Sequence, residues 1–190
     1  MFEGVAKKLL TAKTIGVIPT DTVYGVVGRT ADQDAVSRLY ALKDRDGKPG
    51  TIIAASIDQL VELGLKYRYL KAVEQYWPGA ISVIIPCGPE LQYLHQGKFS
   101  LAVRIPKHPK LQKLLVETGP LLTSSANHPQ QATAHTVQEA KDYFHDEVDF
   151  YVNGGDLTDH QPSTIIRIVD DAIEVIREGA VIIDQSGRII

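Results

Sequence analysis

Short β-branched apolar runs recur along this chain, and helical patterns separate most of them. The runs are too brief to be buried helices, and most are bounded by Gly, Pro, Asp or hydroxyl residues, as strands are. Strands are expected at 14–19, 51–55, 81–85, 101–105, 121–123, 150–152, 164–168, 174–176 and 181–183. Helices are expected at 2–12, from an Asp32 N-cap to about Lys43, and at 57–63, 67–76, 109–117 and 136–144. In the second of these Ala35, Val36, Leu39 and Leu42 share one face. Pro109 suits a first helical turn, and Trp77-Pro78-Gly79 marks a turn. Strands and helices interleaved in this way specify an α/β layered domain, a twisted mixed sheet with flanking helices. No repeat, low-complexity tract or long linker divides it, so one domain over 1–190 is expected.

Several classes of function are excluded early. A net charge of −3 rules out a generic polyanion binder. The charge is uneven, however: every ionised side chain at 97–113 is basic (Lys98, Arg104, Lys107, Lys110, Lys113), whereas acids dominate 117–159. That contrast fits either solvated faces of opposite sign or a local basic surface for phosphates or RNA. Cys87 is the only cysteine, which forbids an internal disulfide and suits a reducing compartment. No activating base stands beside it in sequence, so a structural thiol is expected. The N-terminal stretch carries charges where a signal peptide would be apolar, and no segment approaches the roughly 20 apolar residues of a membrane span. A cytoplasmic protein without membrane association is expected. There is no GxxxxGK[ST] loop, no GxGxxG after the first strand, and no GxSxG elbow. The histidines show neither HxH nor HExxH spacing, so no metal site is expected.

What remains is a series of polar clusters at strand ends, where α/β sheets form their crevices. The segment 19–25 reads PTDTVYG; Pro19 ends the strand, 20–25 is expected as a loop or turn, and its hydroxyls could meet a small polar ligand or merely cap that turn. Lys43 and Arg45, one residue apart at a helix end, could hold phosphate oxygens or simply favour the helix dipole. Arg104 is embedded in the apolar strand AVRIP and needs an anionic partner, from the protein or from a ligand. Further clusters are TSSAN at 123–127, PSTII at 162–166 and IREGA at 176–180.

Taken together, in order and spacing, these motifs resemble the YrdC-type threonylcarbamoyl-AMP synthases in their short, single-domain form. The resemblance is carried by PTDTVYG, the KxR pair Lys43 and Arg45, WPGAISVIIP from Trp77 and AVRIPKHP from Ala102. It continues through SAN at 125–127, PSTI from Pro162 and IREGA from Ile176. Departures from the family pattern are Asp46 and Gly50 after the KxR pair, His128-Pro129-Gln130 after SAN, and Arg167 where an acid is usual.

The resemblance implies a YrdC-like fold and a nucleotidyltransferase. Its substrates would be L-threonine, bicarbonate and ATP, and its products threonylcarbamoyl-AMP and pyrophosphate, for threonylcarbamoyladenosine modification of tRNA. It further implies that Lys43, Arg45, Asn127 and Arg177 bind ATP, the first three as catalytic groups, with Mg²⁺ carried by the nucleotide. Thr20, Arg104, Ser125 and Ser163 would bind threonine, Arg104 through its carboxylate. A downstream tRNA threonylcarbamoyl transferase is the implied partner, with direct RNA contact possible. Two rival readings share the fold: a non-catalytic, double-stranded RNA-binding module, and the carbamoyl-transfer domain of hydrogenase maturation proteins. The second of these comes with acylphosphatase and zinc-finger segments, for which this sequence has neither the length nor the cysteines.

Overall fold

The computed structural model describes residues 1–45, 47–170, 172–184 and 186–190; Asp46, one of the family departures, lies outside them. In chain order the elements begin with α1 (Val5–Leu9), β1 (Ile15–Pro19), β2 (Tyr24–Arg29), α2 (Gln33–Leu42) and β3 (Thr51–Ile53). Next come α3 (Ile57–Glu62), α4 (Tyr67–Lys71), β4 (Ile81–Pro86), α5 (Gln92–His95), β5 (Ser100–Arg104) and α6 (Pro109–Thr118). The last are β6 (Leu121–Ser125), α7 (Val137–Phe144), β7 (Phe150–Tyr151), β8 (Thr164–Val169) and β9 (Ala172–Arg177). Among the described residues the strands join one mixed sheet in the order β7-β1-β2-β6-β3-β5-β4-β8-β9. The pairs β1–β7, β3–β5 and β4–β8 are parallel, and the others are antiparallel.

Side chains alternate across a strand, so each strand feeds two cores. One face, with Ile15, Val17, Tyr24, Val26, Ile52, Val83, Val103, Leu122 and Ile166, packs on Ala35, Val36 and Leu39 of α2 and Ala140 and Phe144 of α7. The opposite face, with Ile18, Val27, Ile53 and Leu121, is covered by Val5 and Leu9 of α1 and by Leu111, Leu114 and Leu115 of α6. The helix starts follow capping chemistry: Asp32, Ser56 and Thr136 each accept an amide of the first turn. His108 does the same through its ring, ahead of Pro109.

Several expectations change. The segment 20–25 is not wholly loop: β1 turns back at 20–23 and Tyr24 opens β2, its register fixed by Pro19↔Tyr24. The glycines at 25 and 28 hid this strand, and Gly25 is needed because a Cβ there would meet Thr123 Oγ1 at 2.5 Å. The first helix is shorter than 2–12, since Gly4 turns at φ 70° before it. The helix expected at 67–76 stops at Lys71, followed by a 3₁₀ turn at Glu74–Tyr76. Among the described residues 181–183 contribute a single bridge, Ile183↔Ile189, in place of a strand. A 3₁₀ turn and α5 at 89–95 have no counterpart in the sequence reading.

Asp32 anchors the helix that delivers Lys43. One of its carboxylate oxygens takes the Ala35 amide at 3.0 Å and the other the Lys13 amide at 2.6 Å. Asp32→Ala should therefore lower unfolding free energy by about 1–2 kcal/mol, read as a shifted urea midpoint with unchanged slope.

Candidate active site

The face covered by α1 and α6 continues past them as open floor. Ladder partners share a face, and they run across the sheet as Gly25↔Ser125, Thr123↔Thr51, Thr51↔Ala102, Ala102↔Ile84, Ile84↔Arg167 and Ile165↔Arg177. These positions have the same parity as Val27, Ile53 and Leu121 in the helix-covered core. Their side chains are mostly small, so the floor sinks into a crevice of about 460 Å³. Ligand pockets typically span roughly 300–1,000 Å³. Thr20, Thr22 and Val23 of the β1–β2 turn, Arg45, Pro49 and Gly50 ahead of β3, and Pro162 and Ser163 ahead of β8 complete its walls.

Of the residues expected in a ligand site, Thr20, Arg45, Arg104, Ser125, Ser163 and Arg177 line this one crevice. Lys43 and Asn127 do not. They meet each other just behind Ser125, where the buried Lys43 Nζ donates to the Ser125 carbonyl at 2.8 Å and to the Asn127 carbonyl. Asn127 Oδ1 lies 3.3 Å from the same ammonium and accepts the Ser125 hydroxyl at 2.6 Å. The Phe144 ring closes the other side, its centroid 5.8 Å from Nζ. Burial, then the charge of Arg45, push the Lys43 ammonium down to about 8.

Arg104 has a protein partner that sequence reasoning left unidentified. Its Nη1 donates to Asp21 Oδ1 at 2.6 Å and to Thr22 Oγ1 at 3.3 Å, and the ion pair is almost wholly buried. Asp21 Oδ2 also takes the Lys107 amide at 3.1 Å. The Arg104 Nε has no partner among the described residues. Burial lowers the Arg104 pKa, and Asp21 opposes that shift. Asp21 lies 83 residues away in sequence, so no local signal connected the two.

The other cations are held by neutral oxygens. Arg45 Nη1 donates to the Pro49 carbonyl at 3.2 Å, and burial lowers its pKa. Arg177 donates from Nη2 to the Ser163 carbonyl at 2.6 Å and from Nε to the same oxygen at 3.2 Å. Its pKa is lowered by burial and then by the charges of Arg104 and Arg45, so Arg177 feels both of the other guanidiniums. Gly179 lets this corner close: the Ala180 amide reaches the Pro162 carbonyl at 2.8 Å, and a Cβ on Gly179 would lie 2.2 Å from that oxygen. The hydroxyls are braced locally. Thr20 donates to the Val23 carbonyl at 2.7 Å, and Ser163 pairs with Ser82 at 2.9 Å.

Lys98 and Arg167 also line the crevice, and Arg167 is paired with Glu174 at 2.6 Å. The basic stretch 97–113 is thus divided: Lys98 and Arg104 face the crevice, whereas Lys110 and Lys113 border a separate groove beside Met1 and Phe2. Among the described residues no carboxylate lines the crevice, and no group of three His, Cys, Asp or Glu could hold a metal. Cys87 is half-buried, its thiol pushed up to about 11 by burial and Glu90, as suits a structural thiol. No helix among the described residues is long and apolar enough to cross a membrane.

A crevice lined by guanidiniums and hydroxyls on a mixed α/β sheet defines a class, and comparison with known proteins gives the family. The Sua5/YciO/YrdC family model, described as telomere recombination, matches residues 8–179, and the chain belongs to that family. A curated relative from Methanocaldococcus jannaschii is 30% identical over 194 residues, covering 99% of this chain and 90% of its own. The protein named threonylcarbamoyl-AMP synthase of Pseudomonas paraeruginosa is 37% identical over 159 residues, covering 80% of this chain and 85% of its own. Among solved structures, P. abyssi Sua5 complexed with L-threonine superposes with a TM-score of 0.83 at 24% identity, over 93% of this chain. This chain spans 53% of that protein's length.

Removing one member of a buried ion pair strands the other. Arg104→Ala should therefore destabilise the chain by about 3–5 kcal/mol in denaturant titration, because Asp21 loses its cation. An unchanged midpoint would mean that water already satisfies Asp21.

Proposed function

We propose that this chain is an L-threonylcarbamoyladenylate synthase. It joins L-threonine, bicarbonate and ATP into threonylcarbamoyl-AMP with release of pyrophosphate, supplying tRNA threonylcarbamoyladenosine modification. One observation carries the reading. In a chain 37% identical to a protein of that name, Arg45 and Arg177 meet in one crevice and bond to backbone carbonyls instead of carboxylates. Among the described residues no carboxylate pairs with either guanidinium, which favours an anionic ligand between them.

The chemistry needs no protein nucleophile. The threonine amine and bicarbonate give a carbamate and water; a carbamate oxygen attacks the α-phosphorus, and pyrophosphate leaves with the bonding pair. Positioning and charge neutralisation dominate such a displacement. Arg45 and Arg177 take the phosphates. Lys43 adds positive charge from behind Ser125, and Asn127, its amide donating to the His128 and Gln131 carbonyls, holds that strand end in place for the nucleotide. Arg104, already fixed by Asp21 through Nη1, offers its guanidinium to the threonine carboxylate, with Thr20, Ser125 and Ser163 around the amino acid. The carboxylates near the crevice are engaged, Asp21 with Arg104 and Glu174 with Arg167, so the residues do not suit a protein-held Mg²⁺. Any Mg²⁺ enters on the nucleotide's own phosphates. The product is a reactive mixed anhydride, so a tRNA-modifying transferase is the partner that consumes it.

Incubation with ATP, bicarbonate and threonine should yield the adenylate by mass spectrometry and one pyrophosphate per adenylate. RNA binding without threonine-dependent pyrophosphate release would favour the RNA-binding module instead. Lys43 adds a pH test. Its cation is present below about 8 and is lost as pH rises through that value, so ATP affinity should weaken on the alkaline side. Calorimetry on Lys43→Arg should lose this limb, since a guanidinium stays charged.

A further inference from the structure

Tyr40 sits near the C-terminal end of α2, in the main core and only 8% exposed. It does not line the crevice, yet its hydroxyl bridges two backbone segments. It donates to the Leu94 carbonyl at 2.6 Å and accepts the Gly50 amide at 3.3 Å. The Tyr40 carbonyl accepts the Arg45 amide at 3.1 Å. The segments joined in this way each deliver a crevice cation: Arg45 in the connection from α2 to β3, and Lys98 in the turn after α5.

The surroundings make this bridge specific. Gly50 is pressed against β6 on its other side, where a Cβ would meet the Thr123 carbonyl at 2.7 Å. A second thread runs parallel to the first, because the Lys48 amide donates to Gln96 Oε1 at 3.2 Å. The Lys98 amide then returns to the His95 carbonyl at 2.9 Å. Burial pushes the phenol up to about 12, against the Gly50 amide and the Arg45 charge, so it remains a donor at any working pH.

We propose that Tyr40 is a positioning residue for phosphate binding, its buried hydroxyl locking to each other the segments that carry Arg45 and Lys98 into the crevice. The inference rests on the synthase reading. Removing the hydroxyl leaves the ring in the core but frees the Gly50 amide and the Leu94 carbonyl. The two cations then have to be ordered by the ligand, and that ordering lowers affinity.

The test compares wild type with Tyr40→Phe, using inorganic pyrophosphate and ATP as probes in calorimetry and threonine as the varied substrate in turnover. The expected result is pyrophosphate and ATP binding weakened about ten-fold, with the KM for threonine within two-fold of wild type. Unchanged phosphate binding would overturn the proposal, as would an equal loss for phosphate and threonine, which a merely structural role produces. Should Tyr40→Phe fail to fold, Gln96→Asn cuts the parallel thread, since the shorter amide cannot reach Lys48 and asparagine tolerates the positive φ of 48° there. It should weaken pyrophosphate binding selectively, and an unchanged affinity would count against the lock. Wild type that binds neither probe would instead overturn the synthase reading itself.

Discussion

Like charges held close together inside a protein raise its free energy unless something of opposite sign joins them. Arg45, Arg104 and Arg177 share one crevice under that constraint, and much of the surrounding structure is arranged to tolerate it. Among the described residues only Arg104 of the three has a carboxylate partner, Asp21. The others are steadied by the carbonyls of Pro49 and Ser163, and the buried Lys43 by those of Ser125 and Asn127. Neutral acceptors fix direction without cancelling charge. Such orientation without neutralisation is what the proposed anion site requires, and the two apolar cores offset its stability cost.

The sheet makes this arrangement possible through parity. Positions that bury Val27, Ile53 and Leu121 under α1 and α6 carry small or polar side chains one ladder step further on, where the helices no longer reach. The same strands thus build core and crevice, and a site on strands is held more rigidly than one on loops. The close approach at Gly179 ties the last strand to the Pro162–Ser163 corner, so Arg177 is placed by backbone contact.

The sequence revealed the strands with clean β-branched runs and the helices with clear caps, because both rest on local chemistry. It hid β2, where Gly25 and Gly28 answer to packing between strands. Six motif residues do line one crevice, although no periodicity argument could bring Thr20 to Arg177. The Asp21–Arg104 pair, the inward turn of Lys43 and the Tyr40 bridge arise from segments distant in sequence. Each depends on strand register, which the chain specifies only as a whole.

A crystal structure with a non-hydrolysable ATP analogue and L-threonine tests the central claim most directly. The account predicts the phosphates between Arg45 and Arg177 and the amino-acid carboxylate on the Arg104 guanidinium, with the Asp21 contact retained. Phosphates seated away from both guanidiniums, or threonine bound outside this crevice, would contradict it.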